Sequence, residues 1–315
     1  MGKEQRRPAE LVLAAAVARR HYLHGQSKVV VAGALGISRF KVARLIEFAR
    51  EAGLVRIEIV ADGEIDLDRS VRLQEAFGLR HAVVLDGAGL DFPTLSDHLG
   101  NATAQLLSEI LTEDDVLGLP WARSIDIMTR SLRNLPRIDV VQLTGAMQVP
   151  GIESSAVDIV RRAARVTGGR ASVFYAPLVL DDAAVARTLR RDSQVASVLA
   201  EASLVTTAVM GLGSWSAGLS TVFDAVSPAD RDACREAGCV GEIGGRLFDA
   251  EGRFINPPLA ERIVTIGSDD LLAIREVIAI VSGEGKAAAV QAALKGGLVN
   301  SLVADVPMAD ALLAT

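Results

Sequence analysis

Three stretches of the chain carry side chains whose type and spacing suit the capture of a small, polar, anionic molecule. Gly118-Leu119-Pro120-Trp121-Ala122-Arg123-Ser124 follows an apolar run and opens a helical pattern. Free backbone N–H groups and the positive end of a helix dipole would therefore face an anion, with Arg123 and Ser124 as further donors. Gly211-Leu212-Gly213-Ser214 follows the apolar run Leu204 to Met210, and is expected to be a loop whose glycines admit a ligand while Ser214 donates to it. Downstream, Glu242 can accept from hydroxyl groups, and Arg246 and Lys286 can neutralise a phosphate. Lys286 closes Gly283-Glu284-Gly285-Lys286, a Gly-rich helix start, a setting that favours a ligand role. Two readings stay open for Asp249: a ligand contact, or the cap of an Asp-x-x-Gly turn ending at Gly252. The stretch at Trp121 likewise allows a plain strand-to-helix turn with the indole in the core.

A different chemistry is concentrated at the start of the chain. Residues 1–60 hold 11 Lys and Arg against 5 Asp and Glu, a net of +6, while the remaining residues hold 22 against 34. A basic head on an acidic body is expected to meet a polyanion through the head alone. Within it, two short helical patterns, Lys28 to Leu35 and Arg39 to Ala52, are joined by Gly36 and an N-capping Ser38, the layout of a helix-turn-helix. Ala32 lets the helices approach and Gly36 allows the tight turn. Val31, Leu35, Ile37, Val42 and Leu45 supply the shared core. In that geometry the front of the second helix of the motif enters the major groove of DNA. Lys28, Ser38, Arg39, Phe40, Lys41, Ala43 and Arg44 are then the candidates for base and phosphate contact.

These sites need elements to hold them. Apolar periodicity gives a first helix from Leu11 to Leu23, and Val55 to Val60 alternate as a strand following the helix-turn-helix, with Ala61 to Asp66 as linker. Beyond the linker, strands are expected near 81–85, 115–119, 139–143, 171–175, 204–210, 263–266, 277–281 and 298–303, with helices between many of them. Such alternation means an α/β fold with a mostly parallel sheet, whose ligands bind outside the C-terminal ends of the strands. The expected domains are 1–60 and 61–315. The chain has 315 residues, 50% hydrophobic and 23% charged, enough for two cores. No apolar run is long enough for a membrane span, and the start lacks a signal-peptide pattern, so a cytoplasmic protein is expected.

Several chemistries are excluded by the same reading. Gly211–Ser216 fails as a dinucleotide fingerprint because Ser216 holds the sixth place, and fails as a nucleotide-hydrolase phosphate loop because Leu219 stands where Lys is needed. Cys234 and Cys239 have no partners at zinc-ligand spacing, and the four histidines are scattered. Neither metal nor cofactor is expected, and no catalytic residue is assigned.

The motifs together resemble the SorC family of sugar-responsive transcriptional regulators. The resemblance is carried by Gly36-Ile37-Ser38-Arg39, Val42-Ala43-Arg44-Leu45, Ala49 to Ile57, Gly241 to Asp249 with Gly252, Gly283 to Lys286, Leu294 to Gly297 and Leu302 to Asp305. It implies a winged helix-turn-helix, then an effector domain similar in fold to sugar-phosphate isomerases, without a catalytic task. It also implies a homotetramer or homodimer that binds operator DNA and responds to a sugar, polyol or sugar phosphate. The family's Trp-Gly-x-Thr motif corresponds to Trp121 with Ala122 and Ser124 in place of Gly and Thr, and Pro120 removes one N–H. Its Gly-Ile-Gly-Ser loop is similar to Gly211–Ser214. Thr144, Gly145 and Pro177 stand where the family surrounds its ligand, and Gly118 precedes the Trp121 motif. An isomerase-like enzyme with an accessory DNA-binding head is the competing expectation.

Overall fold

A computed structural model describes residues 8–55, 64–148 and 154–314. Residues 56–60 of the strand expected at 55–60, and 61–63 of the linker expected at 61–66, lie outside the described residues. The chain divides into two compact units, Met1–Val60 and Ala61–Thr315.

In the first unit, helix α1 (Pro8–Ala18) runs into a π turn at Arg19–Leu23, and α2 (Lys28–Leu35) and α3 (Arg39–Glu51) follow. Both of these begin at serine N-caps: Ser27 Oγ accepts from Val30 N–H at 3.4 Å and Ser38 Oγ from Lys41 N–H at 3.2 Å. Gly36 ends α2 in the left-handed conformation, φ 64°. Ala14, Val17, Val31, Val42, Leu45, Ile46 and Ala49 form the core, and Leu35 and Ile37 pack on it half-buried.

Among the described residues, the second unit is built on nine strands. These are β1 (His81–Leu85), β2 (Val116–Leu119), β3 (Asp139–Gln142), β4 (Ala171–Ser172), β5 (Thr207–Ser214), β6 (Gly241–Ile243), β7 (Arg246–Phe248), β8 (Glu276–Val281) and β9 (Ser301–Asp305). Seven make a sheet in the order β1-β9-β8-β5-β2-β3-β4, with every pairing parallel. Apolar clusters cover both faces, and β8 is buried along its whole length, as a doubly covered parallel strand must be. The order reverses beside β2: the chain moves outward through β3 and β4, then returns to lay β5 on the other side of β2. That reversal opens a crevice at the C-terminal ends of β2 and β5, where ligands of open α/β sheets lodge.

The strand expectations need five corrections. The run at 204–210 is displaced to 207–214 because Ala202–Leu204 forms a 3-10 turn. The run at 298–303 moves to 301–305. The run at 171–175 keeps only two residues of strand. Residues 263–266 make single bridges, Val179 with Ile263 and Thr144 with Thr265, in place of a strand. Finally, β6 and β7 form an unforeseen hairpin on the extended end of β5. Its turn is Gly244-Gly245, with φ of 54° and 81°, and a Gly-Gly pair between apolar runs is a recognised hairpin signal.

Candidate functional site

A cleft of about 400 Å³ lies over the C-terminal ends of β2, β5 and β8, within the range that holds small molecules. From β2 the chain passes through Pro120, Trp121 and Ala122 into the helix Arg123–Ser131. Trp121 is buried, with its amide donating to Thr144 Oγ1 at 2.8 Å and its indole Nε1 donating to the Ser154 carbonyl at 3.1 Å. Ala122, extended at φ −162°, is the N-cap and supplies no side-chain cap. The first-turn amides of this helix are therefore left for a ligand or water. The helix is held from behind by Asp126, which accepts from Arg162 at 2.8 Å and also pairs with Arg130. Burial alone would raise its carboxyl pKa, but the Arg162 and Ser154 bonds and both arginine charges bring it below the usual value.

Strand β5 brings the opposite wall close. A Cβ on Gly211 would stand 3.2 Å from Ala122 Cβ and 3.4 Å from Ser124 Oγ, and one on Gly213 would stand 2.4 Å from Glu242 Oε1. Glycine at 213 is thus the space in which the Glu242 carboxylate sits. Glu242, buried on β6, accepts from Gly245 N–H at 3.0 Å and Ser220 Oγ at 3.0 Å. Burial pushes its pKa up, opposed by those two hydrogen bonds and by the Lys286 charge. Ser220 in turn caps the helix Thr221–Ala225.

Lys286 follows β8 on the turn Glu284–Lys286. The turn is anchored where Gly283 N–H meets the Asp305 carboxylate at 3.0 Å. Asp305 also caps the helix Val306–Leu313. Burial lowers the Lys286 pKa, Glu242 and Asp305 oppose that shift, and the nearby Arg123 charge adds to it. Among the described residues, neither Arg123 nor Lys286 is recorded in an ion pair or side-chain hydrogen bond. The cleft therefore combines two cations and free helix-start amides with a buried carboxylate that feels the Lys286 charge. That combination suits a molecule with both an anionic group and hydroxyls.

Eight expected residues meet in this cleft: Trp121, Ala122, Arg123, Ser124, Gly211, Gly213, Glu242 and Lys286. Seven do not line it. Gly118 lies inside β2, where a Cβ would press on Val205 and Leu143. Thr144 spends its hydroxyl on Trp121 and on the Gly145 carbonyl. Gly145 and Pro177 pack on each other, a Cβ on Gly145 falling 2.5 Å from the Pro177 carbonyl oxygen. Ser214 belongs to β5 and not to a loop, and the two-residue period of a strand turns it from the side Gly213 presents. Arg246 donates to the Ile266 carbonyl at 2.6 Å. Asp249 caps its own turn, accepting from the amides of Glu251 and Arg253 at 3.0 and 2.9 Å, as the turn reading expects.

The cleft also contains Phe92, Ser96, Gln148, Ser220, Asp224 and Ser282, which the sequence reading missed. Ser220 had a signal, an N-cap serine ahead of a short helix beyond Gly211–Ser214. Phe92 and Ser96 come from the helix Phe92–Ile110, Asp224 from the helix that Ser220 caps, and Gln148 and Ser282 from loops.

In the first unit Lys28, Ser38, Arg39, Phe40, Lys41 and Arg44 are exposed and Ala43 is half-buried. On α3, Phe40 and Arg44 stand opposite the buried stripe Val42, Leu45, Ile46 and Ala49, and Arg39 and Lys41 flank it. Both cysteines are buried in the second unit, and burial raises their thiols to about 11 and about 12. Among the described residues no His, Cys, Asp and Glu cluster suits a metal, and no helix is long and apolar enough to cross a membrane.

The family model described as "Putative sugar-binding domain" matches residues 63–314. Transcriptional regulator LsrR of Klebsiella pneumoniae subsp. pneumoniae is 29% identical over 313 residues, covering 97% of this chain and 94% of the relative. The uncharacterized transcriptional regulator YjhU of Escherichia coli is 28% identical over 306 residues, covering 93% and 92%. In fold, the chain is similar to the full-length sorbitol operon regulator SorC from Klebsiella pneumoniae. That likeness has a TM-score of 0.72 at 22% identity and covers 97% of this chain and 99% of the other.

Proposed function

The chain belongs to the sugar-binding-domain family of SorC-type transcriptional regulators, and on that premise we propose that it binds operator DNA through α3 and is controlled by a small sugar, polyol or sugar phosphate held in the cleft. It is a regulator and not an enzyme, as the relatives' names indicate, so the isomerase expectation is set aside. One observation carries the effector assignment: Arg123, Lys286 and the uncapped helix start converge on the same cleft as the buried carboxylate of Glu242. The cations and amides take the anionic or most polar group of the effector, and Glu242 accepts from its hydroxyls.

The domains of this reading are 1–60 for DNA and 61–315 for the effector. A groove-reading helix contacts one half-site, so the working form is a homodimer or homotetramer on a palindromic operator, and its place is the cytoplasm with the DNA. Calorimetry with matched sugars, polyols and their phosphates tests the effector side. The expected result is a phosphorylated or polyhydroxylated ligand that binds one site per chain and changes affinity for the operator in fluorescence anisotropy. Ligand binding with no effect on DNA affinity at any concentration would refute the regulatory role.

A further inference from the structure

Helix α3 turns an aromatic side chain outward at a place where a soluble helix has no packing use for it. Its buried stripe is Val42, Leu45, Ile46 and Ala49, spaced i, i+3, i+4 and i+7. On a 3.6-residue helix the opposite side carries Phe40, Arg44 and Glu47, with Ala43 beside them. Phe40 is 82% exposed, the highest value among the large hydrophobic side chains. It is bracketed by the exposed cations Arg39, Lys41 and Arg44. A protein partner with an ordinary apolar face would have to desolvate that ring of charge, whereas a polyanion neutralises it. The occupant of this patch must therefore be anionic at its edges and still offer an apolar group at its centre. The DNA major groove does so through the C5 methyl group of thymine, flanked by phosphates.

We propose that Phe40 is a specificity-determining residue that reads a thymine methyl group in the operator, next to the base read by Arg44. This deepens the DNA-binding role of α3 and rests on it. Phe40 and Arg44 are one turn apart, about 6 Å along the helix axis, so the thymine lies within about two base pairs of the base that Arg44 contacts. Because Phe40 holds no phosphate, it sets sequence preference without contributing to the salt dependence of binding.

The test uses the full chain and a duplex enriched from a random-sequence pool by the wild-type protein. Each thymine is replaced in turn by deoxyuridine, which removes the methyl group alone, and affinity is read by fluorescence anisotropy at fixed salt. At one thymine of a half-site the replacement should weaken the wild type about fourfold, the value of one buried methyl group. Phe40→Ala should bind the thymine and deoxyuridine duplexes equally at that position, with an unchanged salt slope, and Phe40→Leu should keep most of the discrimination. The exposure of Phe40 leaves the core intact in both variants, which thermal melting checks. A duplex indifferent to every replacement, or a penalty that persists undiminished in Phe40→Ala, overturns the inference while leaving DNA binding in place. Failure of the wild type to enrich any duplex over random DNA overturns the DNA-binding role itself, and the inference with it.

Discussion

Replacing Lys286 by Met separates ligand recognition from folding, because the two should move in different directions. The side chain lines the cleft from the turn after β8 and makes no ion pair among the described residues. Its methylene stem can be replaced by that of Met, so the packing survives and only the ammonium group is lost. A hydrogen bond to a charged group contributes about 1.5 to 3 kcal/mol, so Kd for an anionic effector should rise roughly 10- to 150-fold. Arg123 and the first-turn amides remain, which keeps the loss from being complete. The apo protein should not suffer: burial lowers the Lys286 pKa, and Glu242, which loses the Lys286 charge but whose pKa burial already raises, can take up a proton, so removing a partly desolvated charge leaves Tm unchanged or raised by a few degrees, at about 2 to 4 °C per kcal/mol for this size. A neutral sugar should lose much less affinity than its phosphate. Calorimetry on both ligands with differential scanning of the apo protein gives the result. Undiminished affinity for the phosphate would refute the assignment. So would a loss of affinity that only tracks a Tm drop of more than about 4 °C, which would make Lys286 a structural residue.

Three further outcomes are expected. Anion binding favours charged Lys286, whose pKa in the empty cleft is lowered; affinity for an anionic effector should therefore fall as pH rises into the alkaline range. Lys286→Arg should abolish that fall in calorimetry between pH 7 and pH 10, and an unchanged profile would remove Lys286 from the titration. A Cβ on Gly213 would overlap the Glu242 carboxylate at 2.4 Å, so Gly213→Ala should displace Glu242 and weaken hydroxyl-bearing ligands at least tenfold, or about 1.4 kcal/mol. The same variant should still bind DNA when effector-free, and full effector response in it would show that Glu242 is not a ligand. The Asp126 pKa is lowered, so its ion pairs stabilise the fold above the unfolded value of 3.8 and cease to do so as pH falls through the lower folded value. Asp126→Asn should cost about 2 kcal/mol at pH 7 and progressively less as pH is lowered below 3.8 in urea titrations, whereas a cost that did not change with pH below 3.8 would contradict the linkage.

What was legible beforehand was local. Gly36 and Ser38 mark the end of α2 and the start of α3 through a left-handed turn and a cap, which depend on the backbone of a few neighbours. An apolar run marked the central strand β8 because a doubly buried parallel strand has to be apolar along its length. Arg123, Glu242 and Lys286 stood out as charged groups at strand ends or beside glycines. What the sequence could not decide was where those ends meet. Strand order is set by pairing across the chain, and only the return of β5 to the far side of β2 brings the loops after β2, β5 and β8 together. The same contacts withdraw Thr144, Arg246 and Asp249, whose types suit a ligand but whose polar atoms are taken by Trp121, Ile266 and the Asp249 turn. A polar side chain declares its chemistry in the sequence, but whether it is free to use it depends on the neighbours that tertiary packing supplies.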